Sequence, residues 1–354
     1  METIINKIKN KERICEQEAL KLYDLNLLEL GMLADEIRKE KFGKKSYFNI
    51  NRHINPTNIC KDTCKFCAYS ATRKNPNPYA MSSDEIVNIA KEAANRGAKE
   101  VHIVSAHNPE VGLNWYLDSF AKVREALPDI HIKALTAAEI NFLSQEYNKS
   151  FEEIIDLMIK NGVDSMPGGG AEIFAEEVRD KICKGKVSSK DWLKIHEIWH
   201  SRGKESNATM LFGHIESRAD RIDHMNRLRE LQDKTGGFNA FIPLVYQREN
   251  NYLKVEKFLT ANEILKTYAI ARIFLDNIEH IKAYWTTSTL NLALIAQEFG
   301  ADDLDGTIQK ESIQSAAGAA SANGMELEEF VGLIKNSGFI PVERDSLYNE
   351  LKVW

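Results

Sequence analysis

Apolar positions along the chain follow two rhythms. Up to residue 42 they recur at intervals of three and four, as at Leu22, Leu25, Leu28 and Met32 with charged residues between them. That spacing predicts amphipathic helix over 1–42, closed by the short basic turn at 41–45. From Ser46 onward, short strand-like runs alternate with longer helical patterns. Strands are predicted at 47–53, 101–105, 130–135, 163–166, 208–212, 240–245 and 281–285, with a weaker eighth near 303–305. Helices are predicted at 83–96, 113–127, 151–160, 171–182 with 190–202, 217–234, 261–276 and 290–299. A last helix is predicted at 325–335. Ser82 and Ser83 ahead of Asp84 and Glu85 form a helix start, with acidic side chains at the positive end of the dipole.

Strand–helix alternation at this pitch predicts βαβ units and a parallel sheet. The expected fold class is α/β: a TIM-like (β/α) barrel of six to eight units. The expected organisation is an N-terminal helical cap over 1–45, the barrel over 46–310, and a C-terminal helical extension over 311–354 packed on the barrel. The 354 residues accommodate this, since such barrels run to about 250 residues before extensions.

Composition narrows the partners. With 43% apolar residues, a large core is within reach, and the net charge of -6 gives no electrostatic footprint for nucleic acid. No apolar stretch approaches the roughly 18 residues of a membrane span. The first eleven residues lack the apolar region of a secretion signal. A cytoplasmic protein acting on a small molecule, without nucleic-acid or membrane partners, is expected.

The cysteines change the picture most. Of five, Cys60, Cys64 and Cys67 fall within eight residues, and the odd total argues against a disulfide framework. Cys15 and Cys183 are expected as ordinary buried or half-buried thiols. The triplet, Cys60-Lys61-Asp62-Thr63-Cys64-Lys65-Phe66-Cys67, follows the first predicted strand, at the barrel face where active sites gather. Structural zinc wants four tetrahedral ligands; no second cysteine pair exists, and the nearest histidine is His53. A cube of four irons normally takes four thiolates, so three leave one iron open to substrate. Purely structural cysteines fit poorly in so polar a loop.

The C-x3-C-x2-C spacing with an aromatic before the third cysteine resembles the signature of the radical SAM superfamily. The resemblance implies a [4Fe–4S] cluster on Cys60, Cys64 and Cys67, with S-adenosylmethionine (SAM) chelating the fourth iron and Phe66 beside it. Further blocks carry the likeness across 48–349: Asn51-Arg52-His53-Ile54-Asn55-Pro56, Val101-His102-Ile103-Val104, Met166-Pro167-Gly168-Gly169-Gly170-Ala171-Glu172, Ala208-Thr209-Met210-Leu211-Phe212-Gly213-His214-Ile215-Glu216 and His280-Ile281-Lys282-Ala283-Tyr284-Trp285. These resemble the aminodeoxyfutalosine synthase family of the futalosine route to menaquinone. The implied reaction of this transferase is addition of the 5′-deoxyadenosyl radical to 3-[(1-carboxyvinyl)oxy]benzoate, with rearrangement and decarboxylation. The implied products are 6-amino-6-deoxyfutalosine and methionine, and the implied electron donor is a low-potential carrier such as flavodoxin or ferredoxin. The cyclic dehypoxanthine futalosine synthases share the Pro-Gly-Gly-Gly-Ala-Glu block and stand as the alternative. An electron-transfer or structural iron–sulfur protein is the alternative of another class.

Where that family has Gly-Gly after the second strand, this chain has Ser105-Ala106. Ser105, Gly168, Gly169, Gly170, Glu172 and Glu216 are the further candidates for contact with the cosubstrate. His53, His107 and His214 are candidates for catalysis. An aromatic dicarboxylate substrate needs buried cations or N–H donors, for which Arg52 and Lys282 join His53 and His107. Tyr284 and Trp285 are candidates for flanking its ring, and Asp302, Asp303 and Asp305 for hydroxyl contacts. His196 and His200 have metal-capable spacing without a metalloprotease context and are read as helix-surface residues.

Overall fold

The computed structural model describes residues 1–72, 76–308, 312–319 and 324–354. β1 (Lys45–Asn49) and β2 (Asn51–Ile54) are two halves of one run broken at Ile50. Then come β3 (Glu100–Ile103), β4 (His131–Ala134), β5 (Ser206–Phe212), β6 (Phe238–Val245), β7 (His280–Ile281) and β8 (Asp303–Gly306). β2, β3 and β4 pair in parallel, as do β5, β6 and β7, and β8 pairs in parallel with β1. Single parallel bridges join the remaining neighbours: Lys133 with Ser165, Met166 with Ser206, and Lys282 with Asp303. The pairing therefore runs around a ring and closes a parallel barrel.

The fourth predicted strand, 163–166, survives only as those two bridges. Pro167 has no N–H to continue the ladder, and three glycines follow it. Two other predictions shorten. The seventh strand stops at Ile281, and Trp285–Ser288 is a helical turn. The helix predicted from 171 begins only at Glu176, because Glu172 sits at φ 45 in the left-handed region.

The N-terminal cap is helical, as Glu2–Lys9, Glu16–Lys21 and Leu27–Phe42, but its buried stripe differs from the predicted one. A 3-10 turn at Leu22–Asp24 resets the phase. Leu28 and Met32 are 69% and 73% exposed, while Leu30, Leu33, Ala34, Arg38 and Phe42 face inward. At Gly31 a Cβ would stand 2.6 Å from the Phe299 ring, so glycine permits this close packing.

The helix Ala137–Tyr147 was not predicted. Its capping box, Thr136 with Glu139, is a readable signal. The C-terminal extension, expected as helical, contains the helix Leu327–Asn336 but continues into β9 (Ile340–Arg344) and β10 (Glu350–Val353). β9 pairs in parallel with the free side of β1, and β10 antiparallel with β9. The break at Ile50 separates β1, which pairs with β8 and β9, from β2, which pairs with β3. The boundary expected at 310/311 lies outside the described residues. The turn after β9 then seals the lower end of the barrel. Arg344 Nε lies 2.6 Å from Asp303 Oδ2, and Ser346 Oγ donates to Glu100 Oε2 at 2.6 Å. Among the described residues, no helix is long and apolar enough to cross a membrane.

Candidate active site

The cysteine loop leaves the C-terminal end of β2 and is pinned from three sides. Lys61 N donates to His107 O at 3.0 Å, and Lys65 N to Ile182 O at 2.7 Å. Lys65 O accepts from Tyr252 N and Leu253 N at 2.7 and 2.8 Å. Behind it, Tyr69 OH reaches the carbonyls of Asn55 and Thr57, both at 3.2 Å. Cys60, Cys64 and Cys67 are free and half-buried, and all three line one cavity of about 280 Å³ at the barrel mouth.

Two donor sets are present. Cys60, Asp62 and His107 offer ligand atoms within 4.8 Å of one another. Asp62 and His107, however, already satisfy each other, with Oδ2 and Nδ1 2.9 Å apart. The three thiols form the softer set and line the same cavity. Cys183 is buried and does not line the cavity. The chemistry of this donor set fits an iron–sulfur cube with one iron left to a non-protein ligand.

Facing the cysteines is the loop Gly168-Gly169-Gly170, which leaves the residual fourth strand. A Cβ on Gly168 would stand 2.7 Å from Asn207 O, and Gly170 has φ 91. Their three carbonyls are each held by a side chain: Thr209 Oγ1 at 2.5 Å, Trp192 Nε1 at 3.2 Å and Arg179 Nη2 at 3.2 Å. This fixes the face the loop turns to the cavity. Glu172 lines the cavity and pairs with Lys186 at 2.7 Å. Burial pushes its carboxyl upward, but the Lys186 ammonium outweighs that and holds it below the usual carboxylate value. Lys186 was missed in the sequence; its Nζ also stands 5.6 Å from the centre of the Phe66 ring. Ser105 lines the cavity too, with its N–H donating to Glu139 Oε1 at 2.8 Å.

Other candidates fall elsewhere. Glu216 is not in the cavity. Its carboxylate is fully enclosed, accepting from Gly213 N at 2.6 Å and His214 N at 2.8 Å and pairing with Arg221 at 2.8 Å. It is a loop lock. His214 is likewise sealed, between Glu216 and Leu211 O. Arg52 points outward toward the helix layer, with Glu92 and Arg96 as its charged neighbours. Trp285 is buried and donates to Gly306 O at 2.9 Å. Asp302 is consumed by Arg272 and His280, and Asp303 by Arg344. His196 and His200 are not surface residues; both are buried and reach Ser206 Oγ, at 2.8 and 2.7 Å. Cys15, expected as buried or half-buried, is exposed.

His53, His107, Lys282, Tyr284 and Asp305 do line the cavity. The cavity also descends to a charged floor of which Lys282 and Asp305 were anticipated and Lys133 and Glu100 were not. Lys133 and Glu100 pair at 2.6 Å, and Lys282 and Asp305 at 2.5 Å, all deeply buried. The His102 ring packs edge-on to His53 at 4.7 Å. Burial drives His102 well below the ordinary imidazole value, with His53 and Lys133 adding to the effect.

A closed parallel barrel whose mouth holds a cavity lined by three free thiols and a glycine loop has the architecture of a radical SAM enzyme. Residues 54–228 match the radical SAM superfamily, and residues 235–353 match the CofH/MqnC C-terminal region. Methylornithine synthase superposes with a TM-score of 0.77 at 16% identity, covering 96% of this chain and 97% of that one. An aminodeoxyfutalosine synthase from Thermus thermophilus is 41% identical, over 99% of this chain and 96% of its own length. A cyclic dehypoxanthine futalosine synthase from Streptomyces coelicolor is 36% identical, over 100% and 89%. The chain belongs to the radical SAM superfamily and, within it, to the aminodeoxyfutalosine synthase family.

Proposed function

We propose that this protein joins the 5′-deoxyadenosyl group of SAM to the enol ether of 3-[(1-carboxyvinyl)oxy]benzoate, with rearrangement and decarboxylation, giving 6-amino-6-deoxyfutalosine and methionine. The observation that carries this reading is the convergence of Cys60, Cys64 and Cys67 with the Gly168–Glu172 wall on one cavity, in a chain 41% identical to an enzyme of that name.

Cys60, Cys64 and Cys67 would hold a [4Fe–4S] cluster, which when bound supplies the electron that cleaves SAM. The remaining roles belong to the chain. Gly168, Gly169 and Gly170 let the loop pack against Asn207, Thr136 and Ala138 where a Cβ would collide, and so set its backbone along the cosubstrate's side of the cavity. Glu172 offers a carboxylate to its ammonium or hydroxyl groups, held ionised by Lys186. Ser105 and Phe66 complete the wall around it. The closed lower end keeps bulk water from entering behind the substrate. His53 and His107 are the catalytic candidates that reach the cavity. A low-potential flavodoxin or ferredoxin in the cytoplasm suits this chemistry as electron source.

The experiment is anaerobic loading with iron and sulfide, then addition of reductant, SAM and the enol ether. Mass spectrometry is expected to find 6-amino-6-deoxyfutalosine. Consumption of dehypoxanthine futalosine with release of 5′-deoxyadenosine moves the assignment to the cyclase. Absence of SAM cleavage contradicts the radical reading.

A further inference from the structure

Barrel interiors are ordinarily filled with branched apolar side chains. Here the layer below the cysteines holds two buried lysine–carboxylate pairs and two histidines. Such pairs gain little for stability, because desolvation offsets most of their attraction. Their placement needs another reason.

The hydrogen bonds show an asymmetry. The carboxylates are held from behind: Glu100 Oε2 also accepts from Ser346 Oγ at 2.6 Å, and Asp305 Oδ2 from Asn51 Nδ2 at 3.5 Å. The ammonium groups are not. Each has three donors and one partner among the described residues, Glu100 for Lys133 and Asp305 for Lys282. Beside the pairs stands His102, whose titratable neighbours are His53, Lys133, Glu100 and Asp305. Its Nε2 is buried with no hydrogen-bond partner among the described residues. His53, Glu100, His102, Lys133, Lys282 and Asp305 all line the cavity. The floor thus holds spare ammonium donors beside carboxylates whose Glu100 Oε2 and both Asp305 oxygens are already engaged, and spare cationic donors are the complement of a further carboxylate.

We infer that His102, Lys133 and Lys282 form a carboxylate subsite that takes the ring carboxylate of an aromatic acid. The choice of an aromatic acid rests on the reaction proposed above; the subsite itself rests on the floor. An acid anchored there lies beneath the cysteine loop, which turns the far end of the substrate toward the cosubstrate. The His53 and Tyr284 rings, near-parallel at 10° with centroids 6.4 Å apart, line the same cavity and give the ring apolar faces.

The test uses the cluster-loaded enzyme with SAM and two probes, 3-hydroxybenzoate and 3-hydroxybenzyl alcohol, read by calorimetry. Wild type is expected to bind the acid at least tenfold more tightly than the alcohol, a comparison that needs no variant. His102→Asn and the paired change Lys133→Met with Glu100→Gln, which leaves no orphaned charge, are each expected to erase most of that preference. SAM affinity is expected to stay within about twofold. Equal binding of acid and alcohol by wild type, or an undiminished preference in a folded His102→Asn protein, overturns the subsite. If the acid preference depends on His102 but no aminodeoxyfutalosine forms, the subsite stands and the reaction falls. Product formation with no acid preference gives the reverse.

Discussion

The two ends of the barrel are built from similar residues to opposite effect. At the lower end, Arg344 meets Asp303, and Ser346 caps Glu100, so charge is met by the chain itself. At the mouth, Cys60, Cys64 and Cys67 border one cavity as free thiols, Glu172 pairs with Lys186, and the glycine loop is packed so tightly that a Cβ would collide with Asn207, Thr136 or Ala138. Where neutralisation is complete, the groups hold the fold. Where it is incomplete and faces a cavity, they await a ligand. Changes at the lower end should therefore read out as stability, and changes at the mouth as binding and turnover.

The largest effect is expected at the mouth. Cys64→Ala should lower turnover by at least a thousandfold and abolish iron retention, measured by iron and sulfide content. The metal-free fold should lose no more than about 1 kcal/mol in denaturant, since only one half-buried thiol is removed. A variant that keeps a stable SAM-cleaving cluster would show that the ligand set is wrong.

Next is the lower end. Arg344→Met strands the fully buried Asp303 carboxylate, and breaking such a pair costs about 3–5 kcal/mol. Denaturant unfolding should register that loss while SAM affinity of the folded fraction holds. Weakened SAM binding without lost stability would erase the distinction between the ends.

Lys186→Met sits between these extremes. Glu172 borders a cavity, so the stability cost should be smaller, about 1–3 kcal/mol, with SAM binding weakened by tenfold or so. The pH sign follows from the pair. Glu172 is held below its unfolded value in the folded state, so its contribution is present above about pH 4.5 and is lost as pH falls through the depressed value. The variant should lose that acid-side slope; an unchanged stability-versus-pH curve would contradict the pairing.

The smallest effect at neutral pH concerns neither end. Burial lowers His200 to about 4 and His224 to about 3 in the helical layer. Both groups take up protons near pH 6.5 when unfolded, but only near pH 4 and 3 when folded. Stability should therefore be full above about pH 6.5 and decline as pH drops toward 4, by at most about 1.4 kcal/mol per pH unit for each histidine. His200→Gln should shallow that slope in pH-dependent unfolding. An identical slope would place the acid sensitivity elsewhere.

The barrel was legible because its strands carry continuous apolar runs between helical patterns, and Cys60, Cys64 and Cys67 because their spacing is local. The β9–β10 pair was not legible. Its partner is the free side of β1, some three hundred residues earlier. Glu216 and Glu172 show why the site was half legible. Both carboxylates follow a glycine near a strand end, but only the fold reveals that Arg221 and two backbone amides consume the first. Lys133 and Glu100 looked like strand residues of no note. Their meeting across β3 and β4 inside the barrel depends on register, which a single strand does not display.

The most direct test of the reaction is the fate of the adenosyl carbon. With SAM labelled by carbon-13 at the 5′ position, the loaded enzyme and the enol ether should yield labelled 6-amino-6-deoxyfutalosine, the label bonded to the substrate-derived carbon. Label recovered only in 5′-deoxyadenosine, with the enol ether unchanged, would contradict adenosyl transfer as the function of this barrel.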